Sequence, residues 1–92
     1  MKRKTKVFYK KLGREGAYGQ CEIDPQAPMM QIDYRAHPRK VMETIIHEQL
    51  HLSADDYLNE KLITRVAKEI SYVLWDENYR QVILKKQFIP VK

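Results

Sequence analysis

The segment Thr44-Ile45-Ile46-His47-Glu48-Gln49-Leu50-His51 places a histidine on either side of one turn's worth of chain, with a glutamate directly after the first. Histidines at i and i+4 lie one above the other on a helix, so both imidazoles can reach a single metal ion at the ~2.0–2.1 Å of a zinc–nitrogen bond. Glu48 then projects beside the ion, where a carboxylate can hold a water and accept its proton. The competing explanation is that two of only three histidines fell at this spacing by accident and are ordinary helix residues. Accident is disfavoured, because such a window arises in roughly one in a hundred chains of this composition, and a helical context narrows the odds further.

A catalytic zinc takes three protein ligands and keeps one position open, so one ligand remains to be found. Glu60 is the choice by position: it opens a second helix, on the edge of that helix's apolar stripe, and should point into the junction with the first helix. A glutamate favoured there only by the helix macrodipole is the simpler account. Asp55 and Asp56, in the connection, are alternative ligands, although paired acids before a helix are common as caps. His37 stands at the far end of the first helix and would approach from the wrong side. Cys21, the single cysteine, is expected to pack as a small apolar residue. Tyr57, between the ligands, is a possible hydroxyl donor to a developing oxyanion.

These residues need a frame to hold them. Residues 5–12, Ala17–Ile23 and 29–34 are rich in β-formers and bounded by Gly or Pro, so they read as strands. After His37-Pro38 the period turns helical, with proline where a first-turn N–H is not needed. One helix is expected over 38–52. A second is expected over 59–76, where Leu62, Ile63, Val66, Ala67, Ile70, Val73 and Leu74 recur at helical spacing. In the first helix Val41, Met42, Ile45, Ile46, Leu50 and Leu52 share one arc, the expected core face, while the histidines lie outside it with Lys40 and Thr44. Gln81–Val91 fits either a further strand or a tail. The pattern is an α+β domain, and 92 residues without repeats or linkers suffice for one domain only.

Composition restricts the function classes. With 43% apolar and 32% charged residues the chain is neither disordered nor membranous, and no run approaches the ~18 apolar residues of a membrane span. The basic N-terminus lacks the apolar stretch of a signal peptide, since Val7-Phe8 is too short, and one cysteine cannot form an internal disulfide. A cytoplasmic location is the resulting expectation. The net charge of +5 comes mainly from Lys2, Arg3, Lys4, Lys6, Lys10 and Lys11 and from Lys85, Lys86 and Lys92. Such clusters suit solvated ends, and equally suit phosphate, although no nucleic-acid recognition motif accompanies them.

The core motif with Glu60 resembles the zincin metallopeptidases, in the gluzincin-like arrangement where a downstream glutamate completes the site. Thr44, Ile45, Gln49, Leu50 and Leu52 fit the extended pattern, and Ser53 stands where a hydrophobic residue is usual. The stretch from Ala17 to Trp75, including Tyr18-Gly19, Met30-Gln31-Ile32-Asp33 and Val66-Ala67, looks like small single-domain zincins often encoded by phages. The resemblance implies a small antiparallel sheet of about three strands packed on two main helices, with the motif helix beneath the sheet. It further implies an edge strand near Met29–Tyr34 over the metal, able to bind extended peptide by strand addition. His47, His51 and Glu60 would be ligands and Glu48 the general base. Two functions follow as expectations. One is a zinc-dependent metallopeptidase acting on a peptide or protein substrate. The other is a non-catalytic, zinc-stabilised basic protein that touches nucleic acid or a host protein. Glu48 separates them, because a structural site has no use for that carboxylate.

Overall fold

Short runs of β-forming residues produce three strands: β1 (Lys6–Lys10), β2 (Gly19–Glu22) and β3 (Met29–Asp33). Two helices follow, α1 (Pro38–Ala54) and α2 (Glu60–Asp76). The computed structural model describes residues 4–12, 18–22 and 27–82. The expectation of a strand or tail over Gln81–Val91 therefore lies, beyond Val82, outside the described residues.

The sheet has the order β1-β3-β2, with β1 parallel and β2 antiparallel to β3. It is mixed, which corrects the expected antiparallel sheet, and β3 is central, which corrects its expected place at the edge. The physical reason is visible in composition. Met30 and Ile32 make β3 the strand with most to gain from the middle of the sheet, whereas the lysines of β1 suit an edge exposed to water. The strand beside the motif helix on the open side is β2.

One sheet face, formed by Met30 and Ile32, packs on Val41 of α1, with Tyr9, Cys21, Ala36, Ile45 and Leu52 around them. α2 lies against the opposite side of α1 and, among the described residues, touches no strand. The order is thus sheet, α1, α2, and only one of the two helices supports the sheet directly. Because α1 is sandwiched, its buried set is not the single apolar arc expected: Val41 is buried, but so are Glu43, Thr44 and Glu48. Met42 and Ile46 instead line an apolar groove of about 250 Å³ with Leu74 and Trp75.

α1 begins on His37, whose Nδ1 accepts from the Arg39 N–H at 3.1 Å, with Pro38 in the first turn as expected. α2 begins on Asn59, whose Oδ1 accepts from the Leu62 N–H at 2.8 Å, a typical N-cap. Ile63, Ala67 and Ser71, one turn apart, are its buried stripe. The helices are tied in register where Arg39 Nη1 donates to Glu43 Oε1 and to Ser71 Oγ, both at 2.8 Å. Burial alone would push the Glu43 carboxyl up, but the Arg39 and Lys40 partners more than reverse this and hold it below its ordinary range.

Candidate metal centre

The spacing of His47 and His51 on α1 stacks their rings with centroids 5.0 Å apart. The turn after α1 then returns the chain so that Glu60, first residue of α2, faces them both. Glu60 Oε2 lies 3.1 Å from His47 Nε2, and Glu60 Oε1 lies 2.7 Å from His51 Nε2. One donor atom from each of the three residues falls within 4.8 Å of the others. The carboxylate chosen from sequence therefore joins the two imidazoles. With its side chain 64% exposed against 22% for each histidine, it also leaves one side of the cluster open to solvent.

The ligand-type groups have partners behind them. Asp55 Oδ1 sits 2.8 Å from His51 Nδ1, so that with a metal on Nε2 the imidazole proton would sit on Nδ1, facing Asp55. Burial lowers the His51 pKa, but the Asp55 hydrogen bond and the nearby charges of Glu60 and Glu48 outweigh it and leave it raised. Thr64 Oγ1 donates to Glu60 Oε2 at 3.1 Å from one turn further along α2. Two imidazole nitrogens and a carboxylate, each ready to converge on one point, form a donor set that can hold a divalent metal ion. The N/O character fits zinc among several such ions.

Glu48 stands apart from the three. Only 8% exposed, it lies on the side of α1 covered by β2, and with His47 it lines an open cleft of about 250 Å³, whose other walls include Tyr18, Gly19, Thr44 and Thr64. The cleft exists because β2 approaches α1 at a glycine: a Cβ at position 19 would come within 2.5 Å of Thr44 Cγ2 and 3.3 Å of Glu48 Cγ. Thr44 is therefore buried against β2, not on an open face as its helical position suggested. Cys21 packs against the core as expected. Its thiol is pushed up to about 12 by burial first, then by its hydrogen bond to Glu48 and the charges of Glu48 and Asp55. The raised value keeps it a neutral thiol, unsuited to ligate as thiolate.

The remaining candidates separate cleanly. Asp55 supports His51 from behind and is not one of the three converging donors. Asp56 is exposed and belongs to no such group among the described residues. His37 caps α1 and rests on Trp75 at 5.4 Å between centroids. Tyr57, 86% exposed in the turn, provides no water-excluded hydroxyl. Sequence reasoning missed Thr64 and the approach of β2 at Gly19. Thr64 was within reach, since a hydroxyl at i+4 from Glu60 lies on the same face of α2; the β2 contact is non-local and leaves no such sign. Comparison with protein-family models, with curated proteins and with solved structures gives no match to this chain.

Proposed function

We propose that the chain is a zinc-dependent peptidase of the zincin type, with His47 Nε2, His51 Nε2 and a Glu60 carboxylate oxygen as the protein ligands. The observation that carries this reading is the convergence of those three donors beside a cleft walled by His47 and Glu48. Zinc, when bound, supplies a Lewis acid that polarises a carbonyl and lowers the pKa of a water. The other roles belong to side chains of this chain. Glu48 takes the proton from the attacking water on a carboxylate oxygen and delivers it to the leaving amide nitrogen. Asp55 and Thr64 hold His51 and Glu60 in place. The cleft, open to solvent between β2 and α2, admits a peptide segment.

Glu48→Gln tests the proposal. The amide keeps the size of the side chain, but it cannot take a proton. Zinc content and melting temperature should stay near wild type, while hydrolysis of a peptide library, followed by mass spectrometry, should fall by at least ~10²-fold. A zinc-loaded Glu48→Gln variant with full biological activity would instead favour the non-catalytic, zinc-stabilised binding protein, and protein that takes up no metal would refute both readings.

A further inference from the structure

The face of the sheet turned away from α1 has no helix on it among the described residues, since α1 covers the Met30 and Ile32 face and α2 reaches no strand. Strand alternation and register decide what it carries. Lys6, Phe8 and Lys10 of β1 fall in register with Met29, Gln31 and Asp33 of β3, and Gln20 and Glu22 of β2 fall in register with Gln31 and Met29. Residues so paired project on one face. Phe8, 44% exposed, thus stands in the middle of β1 between two lysines, each ~6.6 Å away along the strand. Lys4 precedes them. Among the described residues no ion pair engages Lys4, Lys6 or Lys10, and Asp33 beside Lys10 is already held by Arg35 at 2.7 Å.

Across the sheet from Phe8 lies a row of carboxamides. Gln20 Nε2 donates to Gln31 Oε1 at 2.5 Å in an exposed pair, which leaves the Gln20 oxygen and the Gln31 amide N–H groups unengaged by other side chains of the described residues. We propose that this outer face binds single-stranded nucleic acid, with a base stacked on Phe8, an adjacent base edge read by the Gln20 and Gln31 carboxamides, and phosphates on Lys4, Lys6 and Lys10. The juxtaposition fits that occupant: an exposed aromatic ring gives a stacking platform indifferent to base identity, and lysines at alternate positions track a backbone. A duplex hides the faces of its bases and cannot stack on Phe8. A lipid surface would have to desolvate the carboxamide row without replacing its hydrogen bonds. The face lies on the side of the sheet opposite α1, so this binding is independent of the metal centre.

Fluorescence anisotropy with labelled oligothymidylate and oligouridylate of ~12 nucleotides tests it, over ~50 to ~200 mM salt. Binding should weaken as salt rises, and Lys6→Gln with Lys10→Gln should reduce the magnitude of the log–log salt slope by about 1.4. Phe8→Ala should weaken binding about 5- to 150-fold. Phe8→Leu, which keeps the apolar bulk and the fold, should weaken it also. Lys61→Gln with Lys68→Gln, which removes two exposed charges from α2, should leave binding unchanged. The proposal is overturned if no oligonucleotide binds, if duplex DNA binds as well as single strands, or if the α2 variants lose as much as those on β1. It is equally overturned if phosphatidylserine vesicles are bound and oligonucleotides are not.

Discussion

Replacing Gly19 by alanine should damage the protein in a way that can be traced to one methyl group. The new Cβ would lie 2.5 Å from Thr44 Cγ2, 3.2 Å from the Gln31 carbonyl oxygen and 3.3 Å from Glu48 Cγ. The first distance is about 1 Å inside the ~3.5–4.0 Å at which two carbons attract. Thr44 has little freedom to yield, because its side chain is β-branched and its hydroxyl donates to the Lys40 carbonyl at 2.7 Å. Gln31 O belongs to the central strand. Relief must come from β2 moving off α1, which costs ~1–3 kcal/mol by analogy with overpacked cores.

Thr44→Ser is the matching change, since it deletes Cγ2 and keeps the hydroxyl. Alone it should cost about 1 kcal/mol for the lost buried methyl. In the Gly19→Ala, Thr44→Ser double variant the added methyl takes the place of the deleted one, so the combined loss should fall short of the sum by at least ~1 kcal/mol. Urea denaturation of the four proteins, with metal bound and with chelator, measures the cycle. A Gly19→Ala protein within ~0.5 kcal/mol of wild type would refute the reasoning, as would strict additivity.

Further outcomes follow from the metal centre and from Asp33. His47→Ala and His51→Ala should each abolish tight zinc binding and remove the melting-temperature gain that zinc gives wild type, about 2.7 kcal/mol at a metal concentration 100-fold above Kd. Metal analysis and thermal melts check this, and unchanged occupancy in either variant counts against the site. Asp55→Ala should weaken zinc binding ~10–100-fold by releasing His51 Nδ1, whereas Asp56→Ala should leave it unchanged in a competitive chelator titration. The Arg35 hydrogen bond, acting against burial and helped by the Arg35 and Leu12 backbone N–H groups, holds the Asp33 carboxyl well below the usual carboxylate range. A depressed folded-state pKa gives stability that is present above the unfolded value of ~3.9 and lost as pH falls through the folded one. Urea midpoints of wild type should therefore drop below pH ~4, and Asp33→Asn should show a shallower drop.

What could be read in the sequence was what depends on nearby residues. The helix beginning at Pro38 and the His47, His51 spacing follow from local geometry, and Glu60 was within reach because a short turn leaves few places for the start of α2. The strands were recognisable from β-formers between turn residues. Their order was not, because the choice between β3 at the edge and β3 in the middle is made by how much apolar surface each strand buries against α1. The same non-local contact hid the burial of Thr44 and Glu48: a helical wheel assigns one core face, and α1 has neighbours on two sides.

The two halves of α2 are held by different chemistry, and this bears on how the proposed metal site is delivered by so small a fold. In its C-terminal half, the buried Ser71 meets the largely covered Arg39, and a hydrogen bond to a charged group in such a place contributes about 1.5–3 kcal/mol. At its N-terminus, Glu60 meets two half-buried imidazoles while largely exposed, and contacts of that kind contribute only ~0–1 kcal/mol. Packing of Ile63 and Ala67 on α1 and the part-buried Arg39–Ser71 tie fix the register of the helix without help from Glu60. Glu60 is thereby delivered to His47 and His51 by the rest of the interface. On the proposed reading its carboxylate would exchange imidazole partners for a metal ion with the helix already in place, and unchanged α2 packing between metal-free and metal-loaded protein is the corresponding expectation.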